Sequence, residues 1–510
     1  MVVVPRIQRS FSLPFTAFTN TFTPMSQLLA AFTGLASDPS AAARRLWDLL
    51  VEEIVTHPVH VAIELLFAVV IVYFLVHPIR KAPSSKRDER PTPEEEEELL
   101  AAFSSKPFAV PECRPGEEGP AIELQALSGL TATVGGKQVV NGATFDFLGM
   151  STHEQVRLVA ERTICEYGVG SCGPRGFYGS LKPHIDLESD LASFLGTHSA
   201  IIYSFSFATS STLIPCFSAR GDEILVDEAC CLPVQQGCLL SRSLVKTYRH
   251  NDMAHLEALM AESQQRCRRK GTLPRRFVIT EGLFRNTGDV ASLDQVCRLK
   301  QQYKFRLILD DCFGFGVLGK TGRGTPEHFS IPQTEIDIYV GCMSGALGSV
   351  GGFCAGSYTV IDHQRLAATG YVFSASLPPY CSASASKAIE IIKAKPDVVQ
   401  QLQRNAKLFR ETVPRCKLTA LVRFVDDTTT KHADAHSPLA LFLTENVAGL
   451  RKAADELLSQ GWLVAVATYN QEYKWPVTPG LRVAVKAAMT TRQVEDLARA
   501  VVDALNRAVA

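Results

Sequence analysis

The chain has no net charge: Lys+Arg and Asp+Glu each number 52 among 510 residues. Such a balance gives no electrostatic reason to expect nucleic acid as a partner. Its 14 cysteines include no C-x-x-C pair and no Cys/His spacing of the kind that holds zinc, so no metal is expected. A large chain with scattered cysteines also lacks the disulfide framework of a small secreted domain. Reduced thiols buried in a protein that faces the cytosol are the expectation. Residues 1–37 contain no acid, and only Arg6 and Arg9 as charges. This acid-poor extension is compatible with a transit segment and equally with a disordered tail. Long uncharged apolar runs are scarce too, for Leu65–Val76 is only twelve residues.

What is present begins with residues 38–56. Asp38 and Ser40 can cap a helix whose Leu46, Trp47, Leu49, Leu50 and Ile54 share one broad face, as in an amphipathic interfacial helix. The apolar stretch that follows becomes long enough for a short membrane helix over residues 57–78 once Glu64 near one end is tolerated. Arg80, Lys81, Lys86 and Arg87 come next, and the positive-inside rule then puts the long C-terminal part in the cytosol. Residues 79–120, with the run Glu94–Glu98, read as a charged tether.

From residue 121 the pattern is α/β. Short β-branched runs at Ser199–Tyr203, Glu223–Val226, Phe277–Thr280, Arg306–Leu309 and Ile338–Val340 alternate with helical stretches at His153–Tyr167, Met253–Arg269 and Leu293–Tyr303. This order predicts a large domain over 121–377 with a mostly parallel sheet flanked by helices. Ligands of such sheets gather at the carboxyl ends of the strands. Residues 378–510 predict a smaller α/β domain, with helices at Pro396–Arg410, Asn446–Gly461 and Thr491–Ala508 and strands at Leu439–Leu443, Leu463–Ala467 and Leu481–Val485.

Gly168, Gly170 and Gly173 satisfy G-x-G-x-x-G, but the segment before them looks helical and GPRGFYGS after them cannot open a helix. A dinucleotide fingerprint needs the reverse order, so that reading is rejected. The longer string YGVGSCGPRGFYGSLKPHIDLE at 167–188 is similar to a loop of the α-oxoamine synthase family of pyridoxal-phosphate enzymes. AIIYSFSFAT, EGLFRNTGD, LDDCFGFGVLGKTGRG, GALGSVGGF, FSASLPP and LRVAV continue the resemblance in the family's order across residues 121 to 510. The resemblance implies an aminotransferase-like fold and an acyl-CoA-dependent acyltransferase reaction.

Attachment of pyridoxal phosphate needs a lysine amine. In the catalytic members most like this chain, that lysine follows Thr or Ser and precedes a G-G-[YF] turn. Here Ser344 is followed by Gly345, so no Schiff base can form at that position. Cys231 stands where those members stack a histidine on the cofactor ring, and Phe313 replaces a second histidine. Ser204-Phe205-Ser206 lacks the glycines of the phosphate-binding turn. Asp310, the partner of the pyridine nitrogen in the family, remains. Asp310, Cys231 and Ser344 are thus expected as vestiges of a cofactor site, and Arg482 as a substrate-carboxylate candidate.

Loss of the lysine with the fold motifs kept resembles the membrane-anchored, non-catalytic subunits of the family. That resemblance implies a lysine-bearing catalytic partner carrying pyridoxal phosphate, in a heterodimer or larger assembly with small regulatory subunits at the endoplasmic reticulum membrane. The implied reaction joins L-serine to palmitoyl-CoA, giving 3-ketosphinganine. Family active sites lie between subunits, so Ser374 and Ser376 in FSASLPP are expected to contribute to the partner's site. Two other readings stand beside this one: a tethering and regulatory scaffold with no contribution to the site, and an independent enzyme using Lys182 or Lys320.

Overall fold

The computed structural model describes residues 122–510, with breaks at 272, 426–435, 469–474, 476 and 510, together with 58–76 and scattered positions before 102. The expected extension 1–37, most of the amphipathic helix 38–56 and most of the tether 79–120 lie outside the described residues. Met1–Pro115 and Gly116–Ala510 form separate compact units.

In the first unit, Pro58–Val76 is one helix of 19 residues. Leu65, Leu66, Phe67, Val69, Ile71 and Val72 on it are exposed. Among the described residues, no helix is long and apolar enough to cross a membrane. The expectation of a membrane helix over 57–78 is therefore corrected to a helix over Pro58–Val76 that falls short of a membrane span. The reason is length: the uncharged run after Glu64 makes about 18 Å of helix, against a hydrocarbon core of about 30 Å.

The second unit is built on a seven-stranded sheet. Its strands are β4 (Ser199–Tyr203), β5 (Glu223–Asp227), β6 (Leu244–Tyr248), β7 (Arg276–Glu281), β8 (Arg306–Asp310), β9 (Ile338–Cys342) and β10 (Gly352–Gly356), after β1 (Ala126–Ser128), β2 (Thr131–Val134) and β3 (Lys137–Asn141) of another sheet. Their order across the sheet is β4-β10-β9-β8-β7-β5-β6. Only β10 runs antiparallel to its neighbours, so the sheet is mixed and mostly parallel.

Alternate residues of these strands enter two different cores. Val278, Leu307, Leu309 and Tyr339 pack in one; Phe277, Ile279, Ile308 and Val340 pack in the other. Burial on both faces is what makes parallel strands read as continuous apolar runs. Helix Met253–Lys270 shows how the flanking layer is delimited. Asp252 caps it by accepting from the His255 N–H at 2.9 Å, and Gly271, at φ +64°, ends it.

The C-terminal part carries β11 (Arg423–Phe424), β12 (Leu439–Leu443), β13 (Trp462–Leu463), β14 (Ala465–Ala467) and β15 (Gly480–Ala484). One sheet has the order β11-β12-β15-β14. Helix Thr491–Val509 buries Val494, Leu497, Ala498, Val501, Val502 and Leu505, a spacing of three and four that forms one apolar stripe. The single strand expected at Leu463–Ala467 is in fact two. β13 pairs with β3 and β14 with β15, so the chain switches sheets within five residues.

Candidate functional site

The parallel strands deliver acids to their carboxyl ends. β8 ends in Asp310 and β7 in Glu281, which lie opposite each other in register. Asp310 is 3 % exposed. One of its oxygens accepts from the Ser210 hydroxyl at 2.6 Å and the other from the Cys312 N–H at 3.2 Å. Ser210 comes from helix Ser206–Phe217, which follows β4. Glu281 accepts from the backbone N–H of Cys231 and from that of Arg285 at 2.9 Å. Burial, reinforced by the neighbouring Asp310, pushes the Glu281 carboxyl up to about 8.

Cys231 caps helix Leu232–Ser241 and is 6 % exposed. Burial, with Glu281 and Asp310 alongside, pushes its thiol well above the ordinary range, so it is a neutral thiol and not a nucleophile. Asp311 is turned away from this group. It accepts from Thr325 at 2.5 Å and Tyr339 at 2.9 Å and holds a turn together.

Ser344 and Gly345 reach the same region through two cysteines. The Cys342 thiol donates to the Cys312 carbonyl at 3.2 Å, and the Ser344 hydroxyl lies 3.6 Å from the Cys342 sulfur. A Cβ built at Gly345 would meet nothing closer than 3.9 Å, and the backbone there is not left-handed. Glycine at this position is therefore not demanded by packing or by the turn. Phe313 packs edge-on against Phe145 at 4.8 Å, and the Arg482 guanidinium lies 4.5 Å above the same ring. The Phe145 carbonyl is one of the three atoms nearest the Gly345 Cβ position. Asp310, Cys231, Ser344, Gly345 and Arg482 thus belong to one region, connected through Glu281, Cys312, Cys342 and Phe145.

The two serines belong to a different cluster. Ser374 donates to the Gly370 carbonyl at 2.6 Å, and Ser376, 7 % exposed, donates to the Gly173 carbonyl at 2.9 Å. The Ser171 and Ser204 hydroxyls donate to the carbonyls of Ser376 and Ala375 at 3.1 and 2.5 Å. These bonds tie the 171–179 loop, the start of helix Ser206–Phe217 and the 370–376 segment together.

Glu281, Ser210 and Phe145 were not identified from the sequence. Glu281 had a signal, an acid closing an apolar strand run directly before a glycine turn. Ser210 and Phe145 had none, because their roles depend on strands distant in the chain.

A family model for aminotransferase class I and II matches residues 137–501. Long chain base biosynthesis protein 1 of Arabidopsis thaliana is 37 % identical over 80 % of this chain and 83 % of its own length. Serine palmitoyltransferase 1 of Dictyostelium discoideum is also 37 % identical, over 83 % of this chain and 89 % of its own length. Among solved structures, a variant of serine palmitoyltransferase from S. paucimobilis with bound PLP–myriocin aldimine shares the fold. Its TM-score is 0.68 at 23 % identity, covering 82 % of this chain and 97 % of that one. The chain belongs to the aminotransferase class I and II family, in the branch of long chain base biosynthesis protein 1 and serine palmitoyltransferase 1.

Proposed function

We propose that this chain is the lysine-lacking, non-catalytic subunit of a serine palmitoyltransferase, working in sphingolipid synthesis with a lysine-bearing partner that condenses L-serine and palmitoyl-CoA into 3-ketosphinganine. Gly345 carries this reading. A side chain would fit there, yet none is present, and no amine stands at the position from which the family holds its cofactor. Asp310 is already engaged on both oxygens by Ser210 and Cys312, and Ser204-Phe205-Ser206 at the helix start has no glycine where the family cradles phosphate. These residues do not fit a covalently attached pyridoxal phosphate, which belongs in this reading to the partner subunit. Lys182, paired with Asp186, and Lys320 are both exposed and offer no substitute.

An exposed aromatic surface supports the pairing. Phe177 and Tyr178 are 70 % and 74 % exposed, and Phe205 and Phe373 are 61 % and 79 % exposed. Their segments are the ones the serine hydrogen bonds tie together, and large exposed apolar groups held side by side mark a surface that another protein covers. The exposed apolar side chains of Pro58–Val76, followed by Arg80, Lys81, Lys86 and Arg87, support attachment to the endoplasmic reticulum membrane with the larger unit in the cytosol. Small regulatory subunits are part of the same proposal.

One observation favours the second reading, a tethering scaffold. Ser374 and Ser376 direct their hydroxyls to carbonyls of their own chain, as turn caps do. The experiment measures serine- and palmitoyl-CoA-dependent ketosphinganine formation by this chain, by a lysine-bearing partner, and by both coexpressed. Activity only in the mixture supports a partner subunit; activity of this chain alone refutes it. In the mixture, unchanged turnover by the Ser374→Ala and Ser376→Ala chains selects the scaffold, and reduced turnover at normal assembly selects a contribution to the partner's site.

A further inference from the structure

At the opposite end of the seven-stranded sheet from Asp310, three turns meet at the amino ends of β5, β6 and β7. Glu223 lies in register there with Leu244 on one side and Arg276 on the other. Hydrogen bonds hold the turns side by side. The Leu244 N–H donates to the Asp222 carbonyl at 2.8 Å, the Arg275 N–H to the Asp222 carboxylate at 3.0 Å, and the Ser243 hydroxyl to the Ala219 carbonyl at 3.0 Å. Leu240, Leu244 and Leu273, on or beside these turns, are 59 %, 50 % and 76 % exposed, and Leu244 and Leu273 border one cavity together with Arg266. Arg220 and Arg242 are exposed on the same turns, and Arg268 and Arg269 on the last turn of helix Met253–Lys270 that leads to Leu273.

The acids beside these turns are already matched by other cations: Asp222 by Arg275 at 2.9 Å, Glu223 by Arg266, and Glu262 by Lys246 at 2.8 Å. Arg220, Arg242, Arg268 and Arg269 have no acid partner among the described residues, so they form a positive surplus in a chain that is neutral overall. We propose that this end of the sheet docks on an anionic lipid bilayer, with the arginines at the lipid phosphates and carboxylates and the three leucines in the headgroup region. Charge and apolarity together select this occupant. Nucleic acid would meet the arginines and leave the leucines in water, whereas an apolar protein surface would cover the leucines and strip the arginines of solvent. The exposed apolar side chains of Pro58–Val76 give the same chain a separate affinity for lipid. Docking through the amino ends of the strands leaves the region of Asp310, at their carboxyl ends, uncovered, and the inference does not rest on the enzymatic reading.

The test is hydrogen–deuterium exchange of the full chain in two kinds of nanodisc, phosphatidylcholine alone and phosphatidylcholine with a third of it replaced by phosphatidylserine. The expected result is exchange at least threefold slower over residues 239–244 and 268–275 in the anionic discs, relieved by high salt, with the amides of β7 and β8 unchanged. Arg242→Glu, Arg268→Glu and Arg269→Glu combined are expected to abolish that protection, and the β7 and β8 amides report whether the variant is folded. Leu273→Ser, a single change at an exposed loop position, is expected to weaken the protection at least twofold and serves if the combined variant fails to fold. Equal exchange in the two kinds of disc overturns the proposal, as does protection undiminished in either folded variant. Polyglutamate added to phosphatidylcholine discs is the remaining arm: protection by it equal to that by phosphatidylserine overturns the bilayer in favour of an acidic protein partner.

Discussion

Glu281 and Asp310 stand opposite each other at the carboxyl ends of β7 and β8, both almost fully buried. No ion pair with Lys, Arg or His is formed by either among the described residues. Their proximity has a pH signature. The Glu281 carboxyl is raised to about 8 by burial and by Asp310, so the folded chain binds a proton that the unfolded chain has released. Its contribution to stability is complete below the ordinary carboxylate range and is lost as pH rises through 8. Glu281→Gln, which cannot ionise, is expected to flatten the fall in stability between pH 6 and 9 by about 2–4 kcal/mol. Urea unfolding of both chains at the two pH values measures it, and parallel slopes would rule out a protonated Glu281.

His250 gives a second window. It lies 2.9 Å from both Asp227 and Asp289, and although burial opposes its charge, Asp289 and Asp227 raise it to about 11. Its stabilising charge is complete below the ordinary histidine range and is lost as pH climbs through 11. His250→Ala leaves two buried carboxylates without their cation and is expected to cost about 3–5 kcal/mol at pH 7. The measurement is a urea midpoint at pH 7, and a loss below about 1 kcal/mol would show that the imidazole is neutral.

Gly345 and Gly348 are expected to separate sharply. At Gly345 a methyl group meets nothing within 3.9 Å, whereas at Gly348, with φ +60°, it comes 2.2 Å from the Ser151 nitrogen. Gly345→Ala is expected to leave stability unchanged or raised by up to about 1 kcal/mol, because it restricts only the unfolded chain. Gly348→Ala is expected to cost about 3 kcal/mol or more, from left-handed strain and a backbone clash. Thermal melts of the two chains settle it; equal loss in both would mean that the turn itself requires Gly345.

Arg410 is expected to be among the most sensitive single positions. It is 5 % exposed, and its guanidinium donates to the carbonyls of Ser437, Val425, Gly288 and Leu439 at 2.9 to 3.0 Å. It binds the loop after β7 to the start of β12. Arg410→Met leaves those carbonyls without donors and is expected to cost about 3–5 kcal/mol, with Arg410→Lys recovering only part because an ammonium cannot span the fork. Denaturant midpoints of both chains provide the check.

Much of this was legible in the amino-acid sequence. The alternating runs located five of the seven strands of the main sheet, because buried parallel strands are apolar on both faces and stand out from the helices between them. β10 was not seen: its GFCAG sequence carries two glycines and too little apolar bulk to be distinguished from the turn before it. β6 was missed as well, since LVKTY is only half buried at the sheet edge. Gly345 was legible because an absent amine is a property of the residue itself, whatever surrounds it.

Tertiary structure decided the rest. That Asp310 is held by Ser210, one hundred positions away, required helix Ser206–Phe217 to pack beside the end of β8. That Ser376 turns inward to Gly173 required two loops to meet across 203 positions. Sequence determined which chemical groups this chain has and which it lacks, since composition and local periodicity are carried residue by residue. Which of those groups stay free and which are already bonded depends on contacts between distant segments, and only the folded chain forms them.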